Sequence, residues 1–290
     1  MRFWGATAFQ STDEVLRLAQ VADRVGLHGI MVSDHIFTPT VRRSKYPYTP
    51  NGDAFWAPDA PWPDPWVLIG AMSAVTTTLR FATNIYVAPA RDLFTVAKLV
   101  STAAVVSGER VALGVGAGWC EEEFEQLGQS FATRGKRLDE MIQALRLLWG
   151  GGPVEHHGQH YDFDELRIEP IPKEPIPIYV GGDSPAALRR AARHGDGWIG
   201  NAYSPEEAEA KVAEMRAALD AAERSAEGFE VILALMAMPD RDLHRQIEAI
   251  GVTGLLCAPW MFGNSPEERV AATEEFAAAF VRSEVSDSDT

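Results

Sequence analysis

Several residues that could do chemistry stand directly after short apolar segments of the chain. Asp34 and His35 follow the second of these segments, and a carboxylate beside an imidazole can hold and exchange a proton near neutral pH. Gly181 and Gly182 follow another segment, and Ser184 with a proline opens a helix behind them. Exposed amides in front of a helix N-terminus are typical of an anion site, and equally of a capped strand-to-helix turn. Both interpretations stay open on these residues alone.

A glycine-rich stretch that ends at Trp119 follows a further apolar segment. Gly116 and Gly118 lack a Cβ atom and would let a flat ring or a phosphate approach the backbone, although loop geometry alone can also require glycine. The glycines stand too close together for a dinucleotide-binding fingerprint. Trp119, with Trp56 and Trp62, would either wall a pocket or pack loops against the rest of the fold.

Other signatures point away from hydrolysis and metal chemistry. His156, His157 and His160 are close in the sequence, but Gly158 places a turn between them and no acid cluster completes a ligand set. The sequence contains neither a Gly-x-Ser-x-Gly nucleophile motif nor a Gly-Lys-Ser/Thr phosphate loop. We therefore expect no metal, which disfavours a metal-dependent barrel hydrolase.

The charge balance excludes several classes of partner. Lysine and arginine number 26 against 41 aspartates and glutamates, which gives a net charge of −15. An acidic surface repels phosphate backbones and anionic lipids, so we expect neither nucleic acid nor a membrane as a partner. No apolar run suits a membrane span and the N-terminus does not resemble a signal peptide, which predicts a cytoplasmic protein. An anionic ligand would have to be held by a local device such as backbone amides.

Apolar segments alternate with amphipathic ones along the 290 residues, as strands and helices of a covered parallel sheet do. Strands are predicted at residues 2–9, 29–33, 79–87, 111–116, 176–181, 197–201, 230–236 and 254–258. Helices are predicted at residues 13–25, 66–75, 95–107, 134–149, 185–193, 205–224, 241–250 and 266–282. Eight such units favour a closed (β/α)₈ TIM barrel over an open doubly wound sheet, with residues 1–282 as one domain and 283–290 as a polar tail.

Two segments interrupt the alternation. Residues 37–65, after the second strand, contain seven prolines together with several aromatic residues. A loop of this length is functional or disordered, and its aromatic content argues against disorder. Residues 154–177, before the fifth strand, contain Gly158 in a short alternating run and predict a hairpin insertion. In a TIM barrel the loops after the strands share one mouth, so the residues discussed above would meet there.

Taken together, these motifs resemble the luciferase-like monooxygenase superfamily, and within it the oxidoreductases that use the deazaflavin coenzyme F420. The resemblance extends from about Gly5 to about Ala258 and rests on several motifs in the same order. The matching stretches are residues 32–35, 107–119, 121–124, 134–140, 179–182 and 194–198. The resemblance itself implies a luciferase-like TIM barrel with the cofactor at its mouth.

Nine residues would hold the cofactor if the resemblance extends to the site. Asp34 would bond the ring edge, and a cis peptide between Asn84 and Ile85 would form a bulge behind the ring. The remaining six, in two groups that would flank the ring and ribityl chain or meet the phosphate, are Gly116, Ala117 and Gly118, and Gly181, Gly182 and Ser184.

His35 stands where related sugar-phosphate dehydrogenases have a catalytic histidine. Those enzymes have a tryptophan four residues further on, where this chain has Pro39, and an acid where this chain has Trp119. Oxidation of glucose 6-phosphate is therefore not expected, and His35 is a candidate catalytic residue for another substrate.

The resemblance implies hydride transfer between F420 and a small organic substrate. The protein would orient the reactants in a dry pocket while the cofactor performs the redox step. An FMN-dependent monooxygenase and a flavin- or deazaflavin-binding protein without catalysis are the alternatives, because either ring would occupy the same mouth. Members of the family are often homodimers, and the sequence points to no interface.

Overall fold

The computed structural model describes residues 1–238 and 240–281, which form ten strands. They are β1 (Arg2–Ala6), β2 (Gly29–Val32), β3 (Arg80–Thr83), β4 (Val111–Val115), β5 (Val154–His157), β6 (Asp162–Leu166), β7 (Ile178–Gly181), β8 (Gly197–Tyr203), β9 (Glu230–Leu235) and β10 (Gly254–Cys257). Eight of them pair in parallel as a closed barrel, in the order β1-β10-β9-β8-β7-β4-β3-β2. The predicted TIM barrel is confirmed.

The same part of the chain forms nine α-helices. They are α1 (Thr12–Val25), α2 (Pro65–Ala74), α3 (Leu93–Ser107), α4 (Glu121–Gln126), α5 (Arg134–Trp149), α6 (Pro185–His194), α7 (Pro205–Ala221), α8 (Arg241–Ala249) and α9 (Pro266–Phe280). Eight were predicted, and α4 was missed because its six residues are too few to show a helical period. Residue 282, the predicted end of the last helix, and the predicted tail at 283–290 lie outside the described residues.

The strand predictions at 2–9 and 79–87 were too long. β1 ends at Ala6 and β3 at Thr83. Beyond Thr83 the backbone leaves the ladder, and Tyr86 returns to pair with Val115 in an isolated bridge. Apolar side chains in 84–87 imitate a strand because they pack against the barrel rather than pair along it, so periodicity alone could not place this end.

The barrel interior is closed below the mouth by one layer of buried side chains. Its seven buried members come from seven different strands, and the eighth strand, β10, adds a partly buried leucine. The layer consists of Trp4, Met31, Ala82, Ala112, Tyr179, Ile199 and Ile232, with Leu256 and Ile85 packed against it. A filled interior is the usual state of such barrels, and it leaves the C-terminal mouth as the place for a ligand. Among the described residues, no helix is long and apolar enough to cross a bilayer.

Both predicted insertions are present. β5 and β6 form an antiparallel hairpin before β7. The connection from β2 to α2 has neither helix nor strand between residues 33 and 64, and it reaches α4, the helix that follows β4. There Glu122 accepts backbone hydrogen bonds from Arg43 and Ser44, and the amide of Glu121 donates to Oγ of Ser44 at 2.9 Å. The glutamates that begin α4 therefore fasten the long loop over the barrel mouth.

Candidate functional site

The mouth of the barrel holds a cavity of about 970 Å³. Residues in or directly after all eight barrel strands contribute to its wall, together with the long loop and α5 and α6. The sequence-predicted residues in the lining are Asp34, His35, Trp56, Trp62, Asn84, Ile85, Ala117, Gly118, Trp119, Gly181, Gly182 and Ser184. Gly116 is the predicted site residue that does not belong to the lining. The structure thus brings together residues from five separate parts of the chain.

Ile85 explains the position of Gly116. The peptide bond between Asn84 and Ile85 is cis, and the Ile85 side chain lies against both Gly116 and Gly181. A Cβ atom on Gly116 would stand 1.7 Å from Cδ1 of Ile85, and one on Gly181 would stand 2.5 Å from its Cγ2. The two glycines make room for Ile85, which covers Gly116 and presents an apolar surface at the bottom of the cavity.

Asp34 forms an ion pair that the sequence analysis did not predict. Its two carboxylate oxygens accept hydrogen bonds from Arg91 at 2.7 and 2.8 Å, and Oδ2 also accepts one from the Val87 amide at 3.0 Å. Burial raises the pKa of Asp34, and the Arg91 guanidinium opposes that effect. Both carboxylate oxygens of Asp34 are thus occupied by hydrogen bonds from the segment after β3. Its proposed contact with a cofactor ring stays a prediction.

His35 is held by a carboxylate of α4. Its Nδ1 lies 3.0 Å from Oε2 of Glu123, and the other oxygen of Glu123 accepts the Ile36 amide at 2.9 Å. The side chains are 12% and 4% exposed, respectively. Since a carboxylate oxygen accepts, Nδ1 carries the proton in this pair, and Nε2 of the neutral ring is left as a proton acceptor. The sequence analysis did not predict Glu123 as a site residue, because the sequence shows only that it stands in a run of glutamates and does not show which side chain it contacts.

The three predicted tryptophans surround His35. Ring centroids lie 4.7 Å from His35 for Trp62 and 5.7 Å for both Trp56 and Trp119. Arg42 covers this group from the loop, with its guanidinium carbon 5.7 and 5.4 Å from the rings of Trp56 and Trp119. Mostly edge-to-face aromatic contacts of this kind hold rings in fixed orientations. The imidazole is therefore confined between a carboxylate and an aromatic wall.

The turn after β7 combines a glycine of positive φ with a capped helix start. Gly182 has a φ of 115°, a conformation that favours glycine, and Oγ of Ser184 accepts the Ala187 amide at 3.2 Å as the N-cap of α6. Two arginines that the sequence analysis did not select, Arg134 and Arg190, line the same cavity. Arg190 stands on α6, the helix that follows the turn, whereas Arg134 begins α5 and is brought to the cavity only by the fold.

Each of these arginines is oriented by its own hydrogen bonds. Nε of Arg134 donates to the Gly118 carbonyl at 3.0 Å. Arg190 pairs with Asp139 and donates to the Gly135 carbonyl at 3.0 Å. The acidic Asp183 also lies in the turn; burial raises its pKa, and it accepts a 2.5 Å hydrogen bond from Tyr203. Local cations thus supply what an acidic chain otherwise lacks for an anionic ligand.

The hairpin histidines lie apart from this cavity. His156 faces Glu140 at 3.4 Å, and His157 contacts Asp162 at 2.7 Å on an exposed surface. In residues 1–238 and 240–281, no group of three or more His, Cys, Asp or Glu side chains has a metal-binding arrangement.

Comparison with known proteins identifies relatives of this chain by sequence. The profile of the luciferase-like monooxygenase family matches residues 3–250. An uncharacterized protein of Mycobacterium tuberculosis is 36% identical over 270 residues, which cover 92% of this chain and 93% of that protein. An F420-dependent glucose-6-phosphate dehydrogenase of Amycolatopsis mediterranei is 27% identical over 241 residues, covering 81% and 68% of the two chains.

Among solved structures, the monooxygenase RslO1 from Streptomyces bottropensis has the same fold. It superposes with a TM-score of 0.75 and 18% sequence identity, over 98% of this chain and all of that one. The predicted family resemblance is confirmed by these matches.

Proposed function

Because this chain belongs to the luciferase-like monooxygenase family, we propose that it transfers a hydride between coenzyme F420 and a small organic substrate. The oxidoreductase class follows from the family. The choice of F420 is supported by the F420-dependent dehydrogenase among the relatives. The observation that carries the proposal is His35, held by Glu123 on the cavity wall with Nε2 left as acceptor.

The size of the cavity and the charges of its lining support a flavin-type cofactor. Its volume of about 970 Å³ is at the upper end of ordinary ligand pockets and leaves room for a second molecule. Ile85 offers an apolar surface for a ring. Gly182, Ser184 and the N-terminus of α6 would hold an anionic tail, and Arg134 and Arg190 would add positive charge.

F420, when bound, accepts or donates the hydride. The protein's part is to handle the proton that must move with it. In alcohol oxidation the C–H bond of the substrate breaks with its electron pair, the O–H proton moves to Nε2 of His35, and a carbonyl forms. In the reverse direction the protonated imidazole returns that proton to the oxygen. Glu123 is a positioning residue that keeps Nε2 directed away from α4, and the aromatic wall limits access of water.

The cofactor assignment is tested by titrating the purified protein with F420 and, separately, with FMN. Quenching of tryptophan fluorescence reports binding, since three tryptophans line the cavity. Each reduced complex is then exposed to oxygen. We expect tight F420 binding without oxygen consumption. Preference for FMN with oxygen uptake would make the protein a monooxygenase, and F420 binding without hydride transfer to any substrate would make it a carrier; either result contradicts the proposal.

A further inference from the structure

Charge is distributed unevenly around the cavity. The charged side chains of its lining are Asp34, His35 when protonated, Lys45, Arg134, Asp183 and Arg190, which stand on the long loop or after β2, β4 and β7. The opposite wall, after β8, β9, β10 and β1, is formed by Ala6, Ala8, Phe9, Ile199, Gly200, Asn201, Ala202, Ala234, Leu256, Cys257 and Ala258. None of these eleven described lining residues is charged.

The one ionisable group on that wall is a thiol. Burial raises the pKa of Cys257 to about 12, so it is neutral at physiological pH. Apart from Asn201, the wall consists of small and apolar groups, which cannot compensate the desolvation of a charged ligand. It can accept hydrocarbon at low cost. This half of the cavity therefore differs in kind from the half that suits an anionic cofactor.

Four large apolar side chains are exposed in the segments that follow β9 and β10. Met236 and Met238 follow the end of β9 and are 62% and 75% exposed. Met261 and Phe262 follow the end of the adjacent strand β10 and are 69% and 70% exposed. The two segments follow neighbouring strands at the same end of the barrel, large exposed apolar surface can mark a binding site, and methionines adapt to varied apolar ligands.

We propose that the substrate is an uncharged alcohol or carbonyl compound with a long apolar chain, which lies along the wall of β9 and β10 and leaves the cavity over the rim of Met236, Met238, Met261 and Phe262. This inference rests on the proposed function for the chemistry at His35. The oxygen of the substrate is held at His35. Beside that ring, Nε1 of Trp62 is buried and has no hydrogen-bond partner in the described part of the chain, so it is an available donor.

The test measures the binding of 2-alkanols of increasing length to the F420-loaded protein, by tryptophan fluorescence and calorimetry. The dissociation constant should fall about fourfold per added methylene, the factor that corresponds to about 0.8 kcal/mol per buried CH₂. An ω-carboxylated alcohol of equal length should bind more weakly than the alkanol. A dissociation constant that does not depend on length, or tighter binding of the carboxylate, would overturn the proposal.

Substitutions in the rim test where the hydrocarbon chain of the substrate lies. In Met236→Glu and Phe262→Glu the length dependence should be lost for the longer alkanols, because a charge stands where hydrocarbon would pass. The matched control is Val106→Glu on α3, an equally apolar side chain 65% exposed on the outer ring, which should leave the length dependence as it is. Equal behaviour of all three variants would contradict the proposed path. Thermal melting checks that each variant is folded.

A second copy of the chain is the rival occupant of the rim. Sedimentation of the wild type and of Phe262→Glu distinguishes the two: a dimer that dissociates on this substitution assigns the rim to a subunit interface and overturns the proposal. The cofactor hypothesis fails separately. If F420 does not bind while the unloaded protein retains the dependence on alkanol length, the apolar site stands and hydride transfer does not.

Discussion

His35 and Glu123 are 88 residues apart in the sequence, and in the structure Nδ1 of the first lies 3.0 Å from Oε2 of the second. The same glutamate accepts the amide of Ile36, so that both oxygens of one carboxylate fix the backbone and the ring of this segment. The contact determines which ring nitrogen is free to exchange a proton. It also links the loop after β2 to α4, the helix on which the long loop is fastened.

Glu123→Gln should reverse the tautomer of His35. The glutamine oxygen can still accept the Ile36 amide, and its NH₂ group then donates to Nδ1, so that the neutral ring carries its proton on Nε2. Alcohol oxidation should lose about 100-fold in kcat/KM, the lower range of general-base effects, with F420 affinity unchanged. Nitrogen-15 NMR of the imidazole identifies which ring nitrogen carries the proton. If Glu123 had a purely structural role, its replacement would not change that nitrogen.

The control is Glu125→Gln, on the same helix, whose exposed side chain pairs with Arg43. That variant should oxidise at the wild-type rate. A Glu123→Gln protein with a wild-type rate and an unchanged imidazole spectrum would show that Glu123 does not set the proton position.

Arg134→Met should weaken F420 binding. The guanidinium lines the same cavity as the turn after β7, and loss of one charge-assisted hydrogen bond to an anion corresponds to about 10- to 100-fold in the dissociation constant. Fluorescence titration at two salt concentrations measures the effect, which should diminish as salt rises. Arg245→Met, which removes an exposed arginine of α8, provides the matched loss of one positive charge. Equal affinities in the two variants would remove Arg134 from the anion site.

The buried pair of Asp34 and Arg91 should behave non-additively. Asp34→Asn or Arg91→Met alone leaves an uncompensated group, and breaking a buried pair costs about 3–5 kcal/mol of unfolding free energy. The double variant removes both charges, so its loss should be smaller than the sum of the single losses. Urea unfolding at neutral pH measures all three. Strict additivity would mean that the two side chains do not stabilise each other.

Asp23 should contribute to stability in a pH-dependent way. Burial alone would raise its pKa, but hydrogen bonds from Thr77, Thr78 and Leu79 prevail and lower it from 3.8 to about 2. A lowered pKa means that the ionised form stabilises the fold above pH 3.8, and that this contribution is lost as the pH falls towards about 2.

The corresponding variant is Asp23→Asn. It should be less stable than the wild type by about 1 kcal/mol near pH 7, and the difference should narrow between about pH 4 and pH 2. Chemical unfolding across this range measures it, with Asp59→Asn in the exposed part of the long loop as the control. A difference that stays constant with pH would refute the role of the Asp23 charge.

Much of the site was predictable because a parallel barrel brings the ends of its strands to one mouth. His35, Trp119 and Gly182 could be placed together from the order of the motifs alone, and the structure does place them around one cavity. The sequence could not assign partners within that mouth. Gly116 stands in a glycine-rich stretch typical of ligand-binding loops, but in the structure the space left by its missing Cβ is occupied by Ile85.

By itself, the amino-acid sequence determined the alternation of strands and helices, the closed barrel and the two insertions, since these follow from local periodicity and from glycine and proline at the turns. Only the tertiary structure decided that Glu123 orients His35, that Arg91 pairs with Asp34, and that Arg134 lines the same cavity as the turn after β7. Such pairs depend on distances fixed by closure of the barrel. Side chains far apart in the sequence leave no periodic signal of a contact, because burial and charge complementarity act only once the fold has brought them together.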